Sequence, residues 1–123
     1  MGRYYNGDIE GKFWFGIQSS NDADFFGSEG YQTYLQYYFD RSHLKSIFRG
    51  IKECRENLLE NEQKLDEFFS KNNSYNEKMI EEQTGIKEKD CNKILKWYAR
   101  LELGKKILNC VEEKGECQFN AEI

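Results

Sequence analysis

Apolar side chains at Leu44, Ile47, Phe48, Ile51, Cys54, Leu58, Leu65 and Phe68 recur at steps of three, four and seven, which places them on one stripe of an α-helix. The pattern predicts one long amphipathic helix over Asp40 to Phe69. Asp40 is its N-cap, because a carboxylate there accepts from amides that lack intrahelical partners, and Lys71-Asn72-Asn73 ends it. The intervening Lys45, Arg49, Lys52, Glu53, Arg55, Glu56, Glu60, Lys64, Asp66 and Glu67 form a mixed-sign face for water. Ser74 with Glu77 forms a capping box that opens a short helix from Tyr75 to about Gln83. Thr84-Gly85-Ile86 breaks it. From Lys87 the positions Cys91, Ile94, Leu95, Tyr98, Leu101, Ile107, Leu108 and Val111 mark a third helix that Gly115 terminates.

The two ends of the chain carry a different period. Lys12 to Gln18 alternates Phe13, Phe15 and Ile17 with Trp14, Gly16 and Gln18, and predicts a strand after an Asn6-Gly7-Asp8 turn. Tyr31 to Phe39 and Glu116 to Ile123 alternate likewise. Between the first two, Ser19 to Gly30 reads as a surface loop that tucks Phe25 and Phe26 inward, long enough to suggest function. The expected architecture is α+β: a single domain, 1–123, with a small three-stranded sheet from both chain ends packed on a long helix and a helix-turn-helix-like pair.

Composition narrows the function classes. The 123 residues carry a net charge of −4 with both signs interspersed, so no broad basic surface for nucleic acid is expected. Aromatic residues make up 15%, so rings must fill much of the core. No apolar run approaches the roughly twenty residues needed to cross a bilayer, and no secretory leader is visible, so a soluble, cytoplasmic protein without membrane association is expected. Cys54, Cys91, Cys110 and Cys117 form no CxxC pair and are expected as free, mostly buried thiols. Cys110 and Cys117 flank the Gly115 turn, where a disulfide is an open alternative that spacing cannot decide.

Three stretches could carry chemistry. If Phe13, Phe15 and Ile17 face the helices, Trp14 points the other way, together with either Tyr34 and Tyr38 or Tyr31 and Tyr37. Rings on an open sheet face stack on a flat ligand or bury against a second copy; the plain alternative is that the Phe25/Phe26 loop covers them. Arg3, Lys12, Trp14, Tyr34 and Tyr38 are the resulting ligand-binding candidates, with Arg3 or Lys12 supplying charge. The second stretch, Glu77 to Arg100, has helix-turn-helix spacing held by Ile80, Ile86, Cys91 and Ile94, and its second helix offers Lys89, Asn92, Lys93, Lys96 and Arg100 to phosphates and base edges. Acidic Glu77, Glu81, Glu82, Glu88 and Asp90 oppose a duplex there. The third, Asn21-Asp22-Ala23-Asp24, lacks the ligand set of a calcium loop and reads as Asx capping. The lone His43 has no local nucleophile, and a cap or surface role suits it better; no phosphate-cradling loop occurs. No cofactor, metal or catalytic residue is expected.

The opening Gly2-Arg3-Tyr4-Tyr5-Asn6-Gly7-Asp8-Ile9-Glu10-Gly11-Lys12-Phe13-Trp14-Phe15, followed by Gln18-Ser19-Ser20, resembles the start of small uncharacterised proteins of phages and large DNA viruses. The resemblance covers the first quarter of the chain. It implies an anti-defence role inside an infected host cell, where such proteins block a host protein or sequester a nucleotide-like signal. The expectation is a non-catalytic, viral-type binding module that forms a homo-oligomer and meets a small molecule or host protein. The alternative is a helix-turn-helix-type nucleic-acid-binding protein.

Overall fold

In the computed structural model, which describes residues 3–15, 18–27 and 35–121, four antiparallel strands pack on four helices. The strands are β1 (Tyr4–Gly7), β2 (Gly11–Lys12), β3 (Leu35–Asp40) and β4 (Glu116–Ala121), ordered β2-β1-β4-β3. The helices are α1 (Leu44–Leu58), α2 (Asn61–Lys71), α3 (Glu77–Thr84) and α4 (Glu88–Lys114). The α+β class is as expected, and the last strand, brought back by Gly115 in the left-handed conformation, lies at the centre of the sheet.

The sheet has four strands rather than three because Asn6 and Gly7 continue β1 instead of turning. Gly7, at φ 119°, lies so close to β4 that a Cβ would come 2.6 Å from the Gln118 carbonyl oxygen. Of the strand expected over Lys12 to Gln18, only Lys12 is in a strand among the described residues, paired within Gly11–Lys12, and 16–17 lie outside them. Beyond Lys12 the aromatic side chains diverge: Phe13 stacks on Tyr5 at 4.1 Å, Trp14 meets Tyr5 and also Lys106, and Phe15 reaches Phe69 and Tyr75. A chain that feeds three elements cannot hold one pleat. Of the second expected strand, Leu35 to Phe39 is paired and 31–34 lie outside the described residues.

The long helix expected from Asp40 to Phe69 is two. Asp40 does cap it: its carboxylate accepts from the Ser42 amide at 2.9 Å, and its own N–H donates to His43 Nδ1 at 3.1 Å, so His43 serves as a cap. One 3₁₀ turn, Arg41–His43, precedes α1. The break falls at Leu59, which adopts φ 53° and ψ −129°. Further on, Asn76 rather than Ser74 caps α3, accepting from the Met79 amide at 2.8 Å.

α4 spans 27 residues, about 40 Å at the helical rise. It runs between the sheet, α1 and the α2–α3 pair, which is why its buried positions, from Cys91 through Ala99, Leu101, Leu103 and Gly104 to Val111, exceed one stripe. The expected loop over Ser19 to Gly30 contains a 3₁₀ helix, Asp22–Phe26, that delivers Phe26 fully buried between α1 and α4. The inner sheet face is a ring cluster centred on Phe119, with Tyr37 at 5.3 Å, Tyr5 at 5.8 Å and Phe39 at 6.2 Å. All four cysteines are free and buried.

Candidate functional site

Strand alternation puts Tyr5, Ala121, Phe119, Cys117, Tyr37 and Phe39 toward the helices, so their neighbours face outward. The register assembles that outer face in rows. Asn6 on β1, Asn120 on β4 and Gln36 on β3 stand side by side, giving a central line of amides. Tyr38 stands opposite Gln118 on one side of the line, and Tyr4 stands opposite Lys12 on the other. Tyr4 is 47% exposed and Tyr38 40%, at diagonally opposite corners. Glu116 and Asp40 close the far end, where Tyr38 Oη donates to Glu116 Oε2 at 3.2 Å. The described helices all lie on the other side of the sheet.

Of the ligand-binding candidates, Lys12 and Tyr38 stand on this face, while Tyr34 lies outside the described residues. Trp14 goes to the helix side, half-buried, with the Lys106 ammonium 5.2 Å from its ring centroid. Arg3 lies over the Phe13 ring at 4.5 Å and donates to Ser20 Oγ at 2.8 Å and to the Gln18 carbonyl, tying the Ser19 loop to β1. Tyr4, Asn6, Gln36 and Asn120 have no candidate role in the sequence pattern, because Asn6-Gly7 stands there for a turn and strand register is not written in it.

Arg3 also leads to a polar network beneath the loop. Asp22 is buried, pairs with Arg100 Nε at 2.8 Å and accepts from Gln18 Nε2 at 2.9 Å. Arg100 in turn lies over Phe25 and Trp97. Asp24 accepts from Tyr37 Oη at 2.5 Å, and burial together with this bond pushes the Tyr37 hydroxyl far above its ordinary titration range. Two polar atoms at this network, Tyr5 Oη and Gln18 Oε1, are buried without a hydrogen-bond partner among the described residues. The Asx pair therefore anchors the loop through ion pairing and hydrogen bonding, a role hidden in the sequence because Arg100 lies 78 positions away.

Comparison with known proteins finds no family model, no curated protein and no solved structure that matches this chain. The function must be read from its surfaces.

The helix-turn-helix candidates divide in the same way. Ile80, Ile86 and Cys91 are buried at the α3–α4 junction, and Lys89, Asn92, Lys93 and Lys96 are exposed along α4. Arg100 is held by Asp22 and so is withdrawn from that stripe. Lys89 and Lys93 line one wall of a cleft of about 460 Å³ whose other wall, Asn57, Glu60, Asn61 and Lys64, belongs to the α1–α2 junction. A duplex approaching Lys93 meets Glu60 and Asp90 in the same cleft.

Proposed function

We propose that this protein is a non-catalytic binding module whose open sheet face docks on another protein, in keeping with the host-protein blockade that the viral resemblance implies. The observation that carries this reading is the row Asn6, Asn120 and Gln36, flanked by exposed Tyr4 and Tyr38. Tyrosine with short amides is the chemistry of protein-binding paratopes: the rings add contact area at little entropic cost, and the amides both donate and accept. Side chains standing on one exposed sheet face surround little of a small molecule, which favours a macromolecular partner over a nucleotide-like ligand. Lys12 is the one cation among the face residues named above, and Glu116 and Asp40 share the surface, which favours protein over nucleic acid. Asp22 and Asp24 are engaged by Arg100 and Tyr37, a structural use of carboxylates rather than an acid–base pair.

A photo-crosslinking amino acid placed at Gln36, with a second placement at Lys52 on α1 as control, tests this in the cells that make the protein. The expected result is a discrete adduct to another protein from position 36 and none from 52. Tyr4→Ala and Tyr38→Ala should each reduce it about ten-fold or more, as loss of an aromatic anchor does. Nucleotide adducts, adducts only to a second copy of the chain, or equal yields from both positions would overturn the reading.

A further inference from the structure

Three elements meet below the Gly115 turn. Asp8 follows β1, Cys110 lies in the last turns of α4, and Cys117 is the second residue of β4. Gly115, at φ 84°, reverses the chain so that the two cysteines face one another across the turn. The carboxylate and the two thiol sulfurs all lie within 4.8 Å of each other.

We propose that Asp8, Cys110 and Cys117 form a binding site for a thiophilic divalent cation of the zinc class. Two ligands on a tetrahedral zinc, each about 2.3 Å from the metal, stand about 3.7 Å apart, so the three donors need to close by only about 1 Å. The donor set of two thiolates and one carboxylate suits zinc or cadmium and disfavours magnesium or calcium, which take oxygen. Three protein ligands leave the fourth position to water, and the exposed Asp8 side is the route in.

The surroundings orient the donors. The backbone N–H of Gln118 donates to Asp8 Oδ2 at 2.7 Å, fixing the carboxylate against β4. Cys110 Sγ bonds weakly to the Glu116 carbonyl at 3.5 Å and shares a side-chain hydrogen bond with Cys117, so the two thiols already meet at one point and neither is held by a strong partner. Lys114 Nζ stands 3.6 Å from Asp8 Oδ1 and opposes a cation, but it sits on a largely exposed side chain that can turn to solvent. Binding releases both thiol protons: the cation, two thiols and one carboxylate give a metal dithiolate carboxylate of charge −1 and two protons. Affinity therefore rises with pH, and Lys114→Ala should strengthen it. None of the three donors belongs to the amide row or to the two tyrosines of the sheet face, so either proposal can fail alone.

The test titrates the reduced full-length chain with cadmium and follows the thiolate-to-metal charge-transfer band in the ultraviolet. One equivalent should saturate the band, Cys110→Ser and Cys117→Ser should abolish it, and Asp8→Asn, whose side chain is outside the core, should weaken binding roughly ten-fold or more. In the unaltered protein, zinc at one equivalent should protect Cys110 and Cys117 from alkylation, mapped by mass spectrometry, while leaving Cys54 and Cys91 unchanged. That second measurement needs no substitution to fold. No band at one equivalent, a band that survives Cys117→Ser, or protection spread equally over all four cysteines would overturn the site.

Discussion

Phe26 lies between α1 and α4 because neither helix has a side chain there. A Cβ on Gly50 would come 2.6 Å from Phe26 Cδ1, and one on Gly104 would come 2.5 Å from Phe26 Cε1. Alanine in a helix interior ordinarily stabilises by about 1 kcal/mol relative to glycine. Here overpacking reverses the sign: Gly104→Ala and Gly50→Ala should each destabilise by about 1–3 kcal/mol, measured by denaturant unfolding. Phe26→Leu in the Gly104→Ala background should recover part of that loss, since the ring is what the methyl meets. A stabilised Gly104→Ala would show that the ring is not wedged there. The inward turn of Phe25 and Phe26 was legible from two rings in a polar stretch. The receiving glycines were not, because Gly50 and Gly104 stand 54 positions apart and meet only when α1 packs on α4.

Among the elements, the α1–α2 junction departs furthest from its sequence pattern. The apolar stripe runs through it, Leu58 to Leu65, without a glycine or proline to mark the break. Both helices nevertheless bury that stripe against the rest of the core, so periodicity alone cannot separate one helix from two. The break leaves Leu59 at φ 53° and 74% exposed, a branched side chain in a conformation that favours glycine. Leu59→Gly should therefore raise stability by about 1 kcal/mol. Leu59→Ala, which keeps a Cβ, should leave the strain in place. Matched denaturant midpoints for the two variants would disprove the assignment of strain. The short strand β2 makes the same point in reverse: alternation over seven residues predicted a ribbon, but Phe13 and Trp14 both meet Tyr5, Trp14 reaches on to Lys106 and Phe15 to Phe69, and packing overrode the period.

Across the whole molecule, the aromatic core carries hydroxyls and thiols as well as rings. Burial raises Tyr5, Tyr37 and Tyr98 above their ordinary 10.0, with Asp24 and Asp66 accepting from the latter two. Burial also pushes Cys54 up to about 12 and raises Cys117 above the ordinary 9.0. Each group keeps its proton longer in the folded chain than in the unfolded one, so the unfolded state binds fewer protons in alkali. The stability these groups contribute is complete below their unfolded values and is lost as pH rises from about 9 through the raised folded values. Melting temperature should fall progressively above about pH 9, and Tyr37→Phe and Tyr98→Phe should flatten the slope. An unchanged slope in both variants would mean that neither hydroxyl is titrated on unfolding. Sequence by itself determined the α+β class, the end-to-end origin of the sheet and the Asp40 and Gly115 caps, because period and capping are written in neighbouring residues, whereas that Cys110 and Cys117 stay unpaired was settled by the fold. Only the tertiary structure decided which rings face outward, that Arg100 belongs to Asp22, and that Asp8 joins Cys110 and Cys117. Those pairings depend on strand register and on chain ends more than a hundred residues apart being brought side by side.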